Sequence, residues 1–532
     1  MIKSFFNSYK SRISLFLDST TKLFQSMPSW QCYLIVGLFM FAIAYGFYSR
    51  VVISFNPVTF ADDQIRDATE FVNMSRGMWP TLGPIVTVGD KFSYFLPPIF
   101  FYLIFPFTLF GNTPNMPFIV HGVLSFITLF LFAKVIYLLF DKHPKPQRLL
   151  FTALAMAWWS IFIDDIVNTT FAWNPSSIPF FLLIFWLLSK KILDAENDTL
   201  ITWFFFGLVS SILISLHTVT LFAIPPVIGI LVINYWIRKV RSKEWGRISM
   251  PGVSLIVFAL LFLPYVDYES STGWINTMSV LSAVSDTTGG TSTSFLELLA
   301  RVPADYIIMM KTSYYKLAAA DLFAGISLLV SVIGIFIFKG NKSLFASILL
   351  TTLFYYIVAS GYDGASRSRY QILSWFLPII TFISVLSRVD LKKYLGKYIL
   401  LVLGISVFIS VKVNLELGLN YFTRSYGRDS LISTNDIRRV LEFVPDASGI
   451  CYQYDPYIDL GKPLGFINEA VTQTTHGFSM NCDNMDYLLY PKNIAIVNEN
   501  LSTRKNHIPA PKGPVKVLDT DSYSLYRLKT RR

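Results

Sequence analysis

The chain has 532 residues, of which 53% are hydrophobic and 16% aromatic, with a mean hydropathy of +0.50 and a formal charge of +11. Soluble domains carry far fewer apolar residues, so the composition excludes a soluble enzyme and defines an integral membrane protein. The charge does not mark a nucleic-acid binder, because the lysines and arginines fall between apolar spans rather than along one polar face.

The first 30 residues are too polar, and precede the first apolar run by too much, for a cleaved signal peptide; residues 31-49 are expected to stay as a membrane anchor. Directly beyond it, Phe60-Ala61-Asp62-Asp63-Gln64-Ile65-Arg66-Asp67-Ala68 crowds charge against the membrane. Charge beside a bilayer is costly unless it meets water or a polar partner, so this run is the leading site candidate. Residues 64-76 read as an amphipathic helix, with Ile65, Ala68 and Val72 on its apolar face and Asp63, Arg66, Asp67 and Glu70 on its polar one. Asp62 or Asp63 would be its N-cap. Residues 94-110 are apolar enough for a span, but Pro97, Pro98 and Pro106 remove backbone donors, so the segment is expected to lie at the interface.

A transmembrane helix needs roughly 20 mostly apolar residues, which gives about eleven spans, near 31-49, 117-140, 149-163, 177-189, 200-216, 219-237, 250-264, 322-338, 343-360, 371-387 and 398-415. Basic residues recur in alternate connections, among them Lys142 to Arg148, Lys190-Lys191, Arg238 to Arg247 and Arg388 to Lys397, and those loops are expected inside. Residues 50-116, 164-176, 265-321, 361-370 and 416-532 are then outside. The loop 265-321 contains Ser285-Asp-Thr-Thr-Gly-Gly-Thr-Ser-Thr-Ser294 and reads as a mobile lid or a plain linker. The tail alternates apolar and polar residues, as in Gly449-Ile-Cys-Tyr-Gln-Tyr and Asn493-Ile-Ala-Ile-Val. The expected fold is a polytopic α-helical membrane protein: a transmembrane domain over 1-415, with juxtamembrane helices in the outward loop 50-116, and a small extracytoplasmic α/β domain over 416-532.

Of three cysteines, Cys32 lies in a span, and Cys451 and Cys482 could pair within the tail if the compartment is oxidising. No Walker A, dinucleotide glycine fingerprint, zinc-protease helix or metal-ligand spacing occurs. His121 has no partner at ligand spacing and is expected to be structural. Asp164 and Asp165 read as a solvated span end, or as a contact to sugar hydroxyls or a cation.

The run from Asp63 (DQIRDA), followed by Gly77, Trp79-Pro80, Leu82-Gly83-Pro84, Pro98-Ile-Phe-Phe-Tyr-Leu and Phe110-Gly111, resembles the first extracytoplasmic loop of bacterial GT-C glycosyltransferases. These are the polyprenyl-phosphate-sugar-dependent enzymes related to protein mannosyltransferases and lipid A aminoarabinose transferases. The likeness continues in Trp173-Asn174-Pro175, Leu216-His217 and Arg369-Tyr370, and covers the first 240 residues or so best. Many relatives carry a Glu-Lys or His-Gly pair just before the proline where this chain has Leu96-Pro97, so a metal ligand or substrate contact from that position is not carried over.

The resemblance implies sugar transfer from a lipid phosphate at the outer face of a bacterial inner membrane, with an aspartate of the first loop acting on an acceptor hydroxyl. The acceptor class is a lipopolysaccharide, another envelope glycan or a lipid, with protein O-glycosylation as an alternative. Such attack needs a base for the acceptor proton and cations for the departing phosphate. Asp63 is the candidate base and Asp62 its rival; Arg66, Lys91, Arg367 and Arg369 are candidate phosphate clamps, and His217 a donor to phosphate or sugar. Trp173, Asn174 and Tyr370 complete the candidate binding set, Trp173 and Tyr370 being equally readable as interfacial aromatics. No cofactor is implied beyond the lipid-linked donor, with a divalent metal left open. Each residue also has a plainer explanation: the aspartates as a cap, Arg66 and Asp67 as surface partners, His217 as an interfacial group. A transporter or flippase of lipid-linked glycans would share the many spans, but would place ionisable residues near mid-membrane.

Overall fold

The computed structural model describes residues 27-55, 60, 62-88, 92-110, 114-194, 198-287, 295-316, 320-360, 371-389, 394-426, 434-445, 448-452, 477-479, 487-491, 493-497, 503-507, 515-519 and 523-527. Among the described residues, seven helices are long and apolar enough to cross a membrane: Ser29–Val52, Met116–Leu139, Asn174–Asp194, Thr218–Arg241, Trp245–Ser271, Ala320–Ile337 and Leu400–Leu419. An eighth span results if Lys145–Ser160 and Ile163–Phe171, bent by 53°, count as one. The chain is thus a multi-pass membrane protein. Every segment expected to span is helical, but Leu200–Leu216, Lys342–Val358 and Ile372–Leu386 are short for a full crossing. At about 1.5 Å per residue, 17 residues reach only about 25 Å of a hydrocarbon layer roughly 30 Å thick. The expected count of eleven therefore stands at seven or eight by length and composition.

In chain order the first half comprises α1 (Ser29–Phe47, continuing as a π-helical turn Tyr48–Val52), α2 (Asp62–Ser75), the hairpin β1 (Ile85–Val88) and β2 (Phe92–Phe95), α3 (Ile99–Thr108), α4 (Met116–Leu139), α5 (Lys145–Ser160), α6 (Ile163–Phe171), α7 (Ile178–Asp194), α8 (Leu200–Leu216) and α9 (Thr218–Arg241). Then follow α10 (Pro251–Ser271), α11 (Ile275–Thr287), α12 (Phe295–Met309), α13 (Ala320–Ile337), α14 (Lys342–Ser360), α15 (Phe376–Leu386) and α16 (Tyr394–Tyr426). α1 and α4 pack on α5, α8 on α7 and α10, α9 on α14, and α13 on α15. One apolar cluster runs through the bundle, with Trp159 stacked on Phe376 at 4.2 Å and Trp186 edge-on to the same ring.

Three expectations change. The apolar stretch 94-110 is not one helix: β2 ends at Phe95 and α3 has only 10 residues, about half of what a crossing needs. The loop 265-321 is largely helical, since α10 continues to Ser271 and α11 and α12 follow; of its Ser/Thr/Gly stretch, residues 288-294 lie outside the described set. Asp164 and Asp165 are buried, not solvated.

The burial of these aspartates follows from the bend. The chain breaks between α5 and α6, and α6 folds its first turn against the end of α1. There Arg50, fully buried, donates to Asp165 Oδ2 (Nε 3.0 Å, Nη2 2.8 Å), to Ser125 Oγ, and to the carbonyls of Trp159 and Ser160 at the break. A buried guanidinium is tolerated only when paired and hydrogen-bonded in this way. Asp164, on the adjacent face, pairs with Lys316. His121 is buried, 3.1 Å from Ser177 Oγ and stacked on Phe100, a structural environment.

After α16, which continues past residue 415 to Tyr426, come α17 (Thr434–Phe443) and strands β3 (Gly449–Tyr452), β4 (Gly477–Ser479), β5 (Tyr487–Pro491), β6 (Asn493–Val497), β7 (Thr503–His507), β8 (Val515–Asp519) and β9 (Tyr523–Arg527). Five of these make a mixed sheet in the order β4-β3-β5-β9-β8, and β6 and β7 form a separate hairpin. Ile437, Val440, Leu441 and Val444 of α17 and its exit join Ile450, Leu489 and Leu525 in one core. Phe60, Ala68, Phe118 and Ala172 belong to that same core, so the apolar face of α2 is continuous with the α/β domain. Cys451 is in β3, while Cys482 lies outside the described residues.

Candidate functional site

The site is built on α2. Its residues alternate at helical spacing, so Ile65 and Ala68 face the apolar core of the sheet while Asp63, Arg66, Asp67 and Glu70 share the opposite face of the helix. The helix begins at Asp62, which places Asp63 in its first turn instead of at the cap, where a carboxylate also complements the helix dipole. Past Ser75 the chain reverses at Gly77, whose φ of +85° is the left-handed conformation that ends helices most cheaply with glycine. Of Asp62 only the backbone is described.

Arg66 joins the two carboxylates beside it. Its Nη1 donates to Asp63 Oδ1 at 2.9 Å, while Nε and Nη2 both donate to Asp67 Oδ1 at 2.8 and 2.7 Å. Asp67 is buried, and its Oδ2 has no hydrogen-bond partner among the described residues. Burial therefore outweighs the guanidinium and pushes the Asp67 carboxyl up to about 7. Asp63, by contrast, keeps its side chain 42% exposed, the accessible carboxylate of the pair.

Arg66 and Glu70 open onto a cleft of about 350 Å³ lined by Pro80, Thr81, Leu82, Gly83, Ile85, Phe95 and Phe101. Its walls come from the segments after α2: Tyr102 donates to the Pro80 carbonyl at 2.5 Å, and Trp79 packs on Tyr102 and Phe105. Gly83 donates to the Leu96 carbonyl at 2.6 Å, an approach that only a residue without Cβ permits, because a Cβ would meet the carbonyl oxygens of Pro97 and Leu96. One end of the cleft is charged and the rest is mostly apolar.

The other candidate residues follow a chain of contacts from the start of α2. Gln64 Nε2 donates to the Phe171 carbonyl at 2.9 Å, Phe171 lies edge-on to Trp173, and Trp173 lies edge-on to His217 at 6.4 Å. Trp173 is buried and gives its Nε1 proton to Asn168, which suits neither a membrane-interface ring nor an open stacking platform. Asn174 donates to the Leu216 carbonyl, tying the turn before α7 to the end of α8. His217 caps α9, its Nδ1 accepting from Val219 N at 3.2 Å. These contacts link Gln64 to His217 through Phe171 and Trp173, whereas the cleft beside Arg66 is lined by neither Trp173, Asn174 nor His217. Lys91, Arg367, Arg369 and Tyr370 lie outside the described residues.

Sequence reasoning missed Arg50 and Lys316, lone basic residues near span ends, and the cleft walls Phe95 and Phe101, which carry no polar signal. Among the described residues no three His, Cys, Asp or Glu side chains gather as a metal site.

No protein-family model matches the sequence, and no curated protein does. Among solved structures, the chain is similar to the archaeal oligosaccharyltransferase AglB from Archaeoglobus fulgidus in complex with an inhibitory peptide and a dolichol-phosphate (9% identity, 88% of this chain and 70% of that one, TM-score 0.45). It is similar as well to the Archaeoglobus fulgidus oligosaccharyltransferase in complex with Zn and sulfate (9% identity, 85% and 68%, TM-score 0.44). A third likeness is to ArnT from Cupriavidus metallidurans bound to undecaprenyl phosphate (11% identity, 93% and 98%, TM-score 0.46). At such identities and scores the chemistry of the site rests on this chain's own residues.

Proposed function

We propose that this protein transfers a sugar from a polyprenyl-phosphate donor to an envelope glycan or lipid, at the outer face of a bacterial inner membrane, with Asp63 as general base. The observation that carries the reading is Arg66. A guanidinium has five N–H donors, and among the described residues three of Arg66's are given to Asp63 and Asp67, which leaves two on a side chain that lines the cleft. Those two suit a phosphate oxygen pair, and the apolar walls formed by Leu82, Ile85, Phe95 and Phe101 suit the adjoining isoprenyl units.

Transfer then needs few parts. Asp63, held through its Oδ1 by Arg66, has a second oxygen for the acceptor hydroxyl and takes its proton as the hydroxyl oxygen attacks the anomeric carbon. The bond between that carbon and the phosphate oxygen breaks, and Arg66 meets the charge that gathers on the leaving phosphate. Lys91, Arg367 and Arg369 are proposed to add cations there. The test is mass spectrometry of envelope glycans from cells with and without the protein, paired with binding of undecaprenyl phosphate to the purified protein. A glycan mass increment that disappears with the gene, and binding that weakens in Arg66→Gln, are the expected results. Unchanged glycans together with Arg66-independent binding would remove the proposal.

A further inference from the structure

We infer that Asn276, on α11, is a positioning residue that sets the wall of the cleft by standing in for a third strand of the β1–β2 hairpin. The inference rests on the cleft being the lipid-phosphate site proposed above. In the hairpin Ile85 is paired with Phe95, and both side chains line the cleft. Their ladder bonds are made one residue further on, where Leu96 N–H donates to the Pro84 carbonyl and Gly83 N–H to that of Leu96. The N–H and C=O of Phe95 therefore point away from β1, toward the hairpin's free edge.

Asn276 occupies that edge. Its Oδ1 accepts from Phe95 N at 2.6 Å and its Nδ2 donates to Phe95 O at 2.9 Å, the two-bond pattern that a neighbouring strand would supply. The side chain is buried, and its amide is held in turn by the Tyr265 hydroxyl. The segment that delivers it is shaped for the purpose. Between α10 and α11 the backbone turns through Gly273 and Trp274, both at positive φ. Trp274 N–H then donates to the Glu269 carbonyl, and the fully buried Glu269 carboxylate accepts from Thr277 N at 2.8 Å, capping α11. Strand alternation does the rest: Tyr94 faces the other way, hydrogen-bonded to Thr218 at the start of α9, and clusters with Leu96, Leu221 and Val280. The strand is pinned on its back by α9 and α11 and along its edge by one amide. Phe95 is left with one orientation, into the cleft.

The experiment is hydrogen–deuterium exchange of the full chain in nanodiscs, comparing wild type, Asn276→Ala and Asn276→Asp, with undecaprenyl phosphate as the added probe. Loss of both bonds in Asn276→Ala is expected to speed exchange in peptides covering 92-96 by about tenfold to a hundredfold, without change in α2, and to weaken probe binding by about tenfold. Asn276→Asp keeps the acceptor for Phe95 N–H but loses the donor to Phe95 O, so it should fall between the two; it carries the same test if Asn276→Ala is not recovered folded. Unchanged exchange in 92-96 would overturn the inference, and so would faster exchange with probe affinity kept within about twofold of wild type. If the wild-type protein does not bind the probe at all, the lipid-phosphate reading fails and with it the positioning role, while the exchange rates separately report whether Asn276 holds the strand.

Discussion

Replacing Asp63 by asparagine separates catalysis from folding more cleanly than any other change at this site. The side chain is 42% exposed and its only charged partner among the described residues is Arg66, three residues on, at 2.9 Å. An ion pair that open to solvent contributes about 0–1 kcal/mol, and the asparagine oxygen still accepts from Arg66, so the melting temperature should stay within a few degrees of wild type. Transfer should not survive. An amide cannot take the acceptor proton, and loss of a general base costs on the order of 10²- to 10⁴-fold in rate, or about 3–5 kcal/mol in the barrier. The assay is complementation of a deletion strain, read by mass spectrometry of its envelope glycans, alongside thermal unfolding and undecaprenyl phosphate binding of the purified protein. Wild-type glycans from an Asp63→Asn strain would refute the assignment of Asp63. If Asp62→Asn alone abolished transfer, the base would be Asp62.

Asp67 should give the protein a pH signature. Its carboxyl is raised in the folded state to about 7 from an ordinary value of 3.8. The folded chain thus keeps a proton that the unfolded chain has lost, and this contribution to stability is complete below the unfolded value and is lost as pH rises through about 7. Unfolding temperatures at about pH 5 and pH 8 should show Asp67→Asn gaining on wild type at the higher pH; equal slopes would contradict the burial argument. Arg50→Met should destabilise by about 3–5 kcal/mol because it strands Asp165 in the core, and adding Asp165→Leu should restore part of the loss. Gly83→Ala should displace the segment 80-85, since its Cβ would meet two carbonyl oxygens, and should weaken undecaprenyl phosphate binding while leaving the helical circular dichroism unchanged. A periplasmic reporter fused after residue 420 should be active and one in the Arg238 to Arg247 loop inactive; the opposite pattern would invert the topology.

Local spacing made α2 legible, because a three-residue interval between Asp63 and Arg66 has one consequence on a helix and it is the one found. The hairpin was not legible in the same way. Tyr94 and Phe95 open the apolar run 94-110 that composition alone assigns to the membrane interface, and only the pairing of Phe92–Phe95 with Ile85–Val88 makes them part of a strand. Arg50 and Lys316 were lost for a related reason: a lone basic residue near a span end looks the same whether it meets water or a buried carboxylate. The reading of Asp164 and Asp165 as a solvated span end, with a contact to sugar hydroxyls or a cation as its alternative, assumes that a span ends in solvent, and the 53° bend after Ser160 removes that assumption.

Asn276 marks the limit of such reasoning most sharply. It lies in a segment that the sequence reads as a polar outward loop, where a solvated asparagine is the ordinary expectation, yet its amide is spent on the backbone of a strand 181 positions earlier in the chain. Periodicity reports which face a residue occupies, but a side chain that completes another element's backbone has no periodicity to report. The same holds for the place of Arg66 in the cleft. Its sequence neighbours account for the three donors given to Asp63 and Asp67, and the cleft that Arg66 lines is completed by Leu82, Phe95 and Phe101, residues whose apolar character gives no hint that they share a cleft with a guanidinium. Chemistry at this site is therefore readable from the sequence where its parts share one helix, and becomes readable only in the folded chain where the parts arrive from different loops.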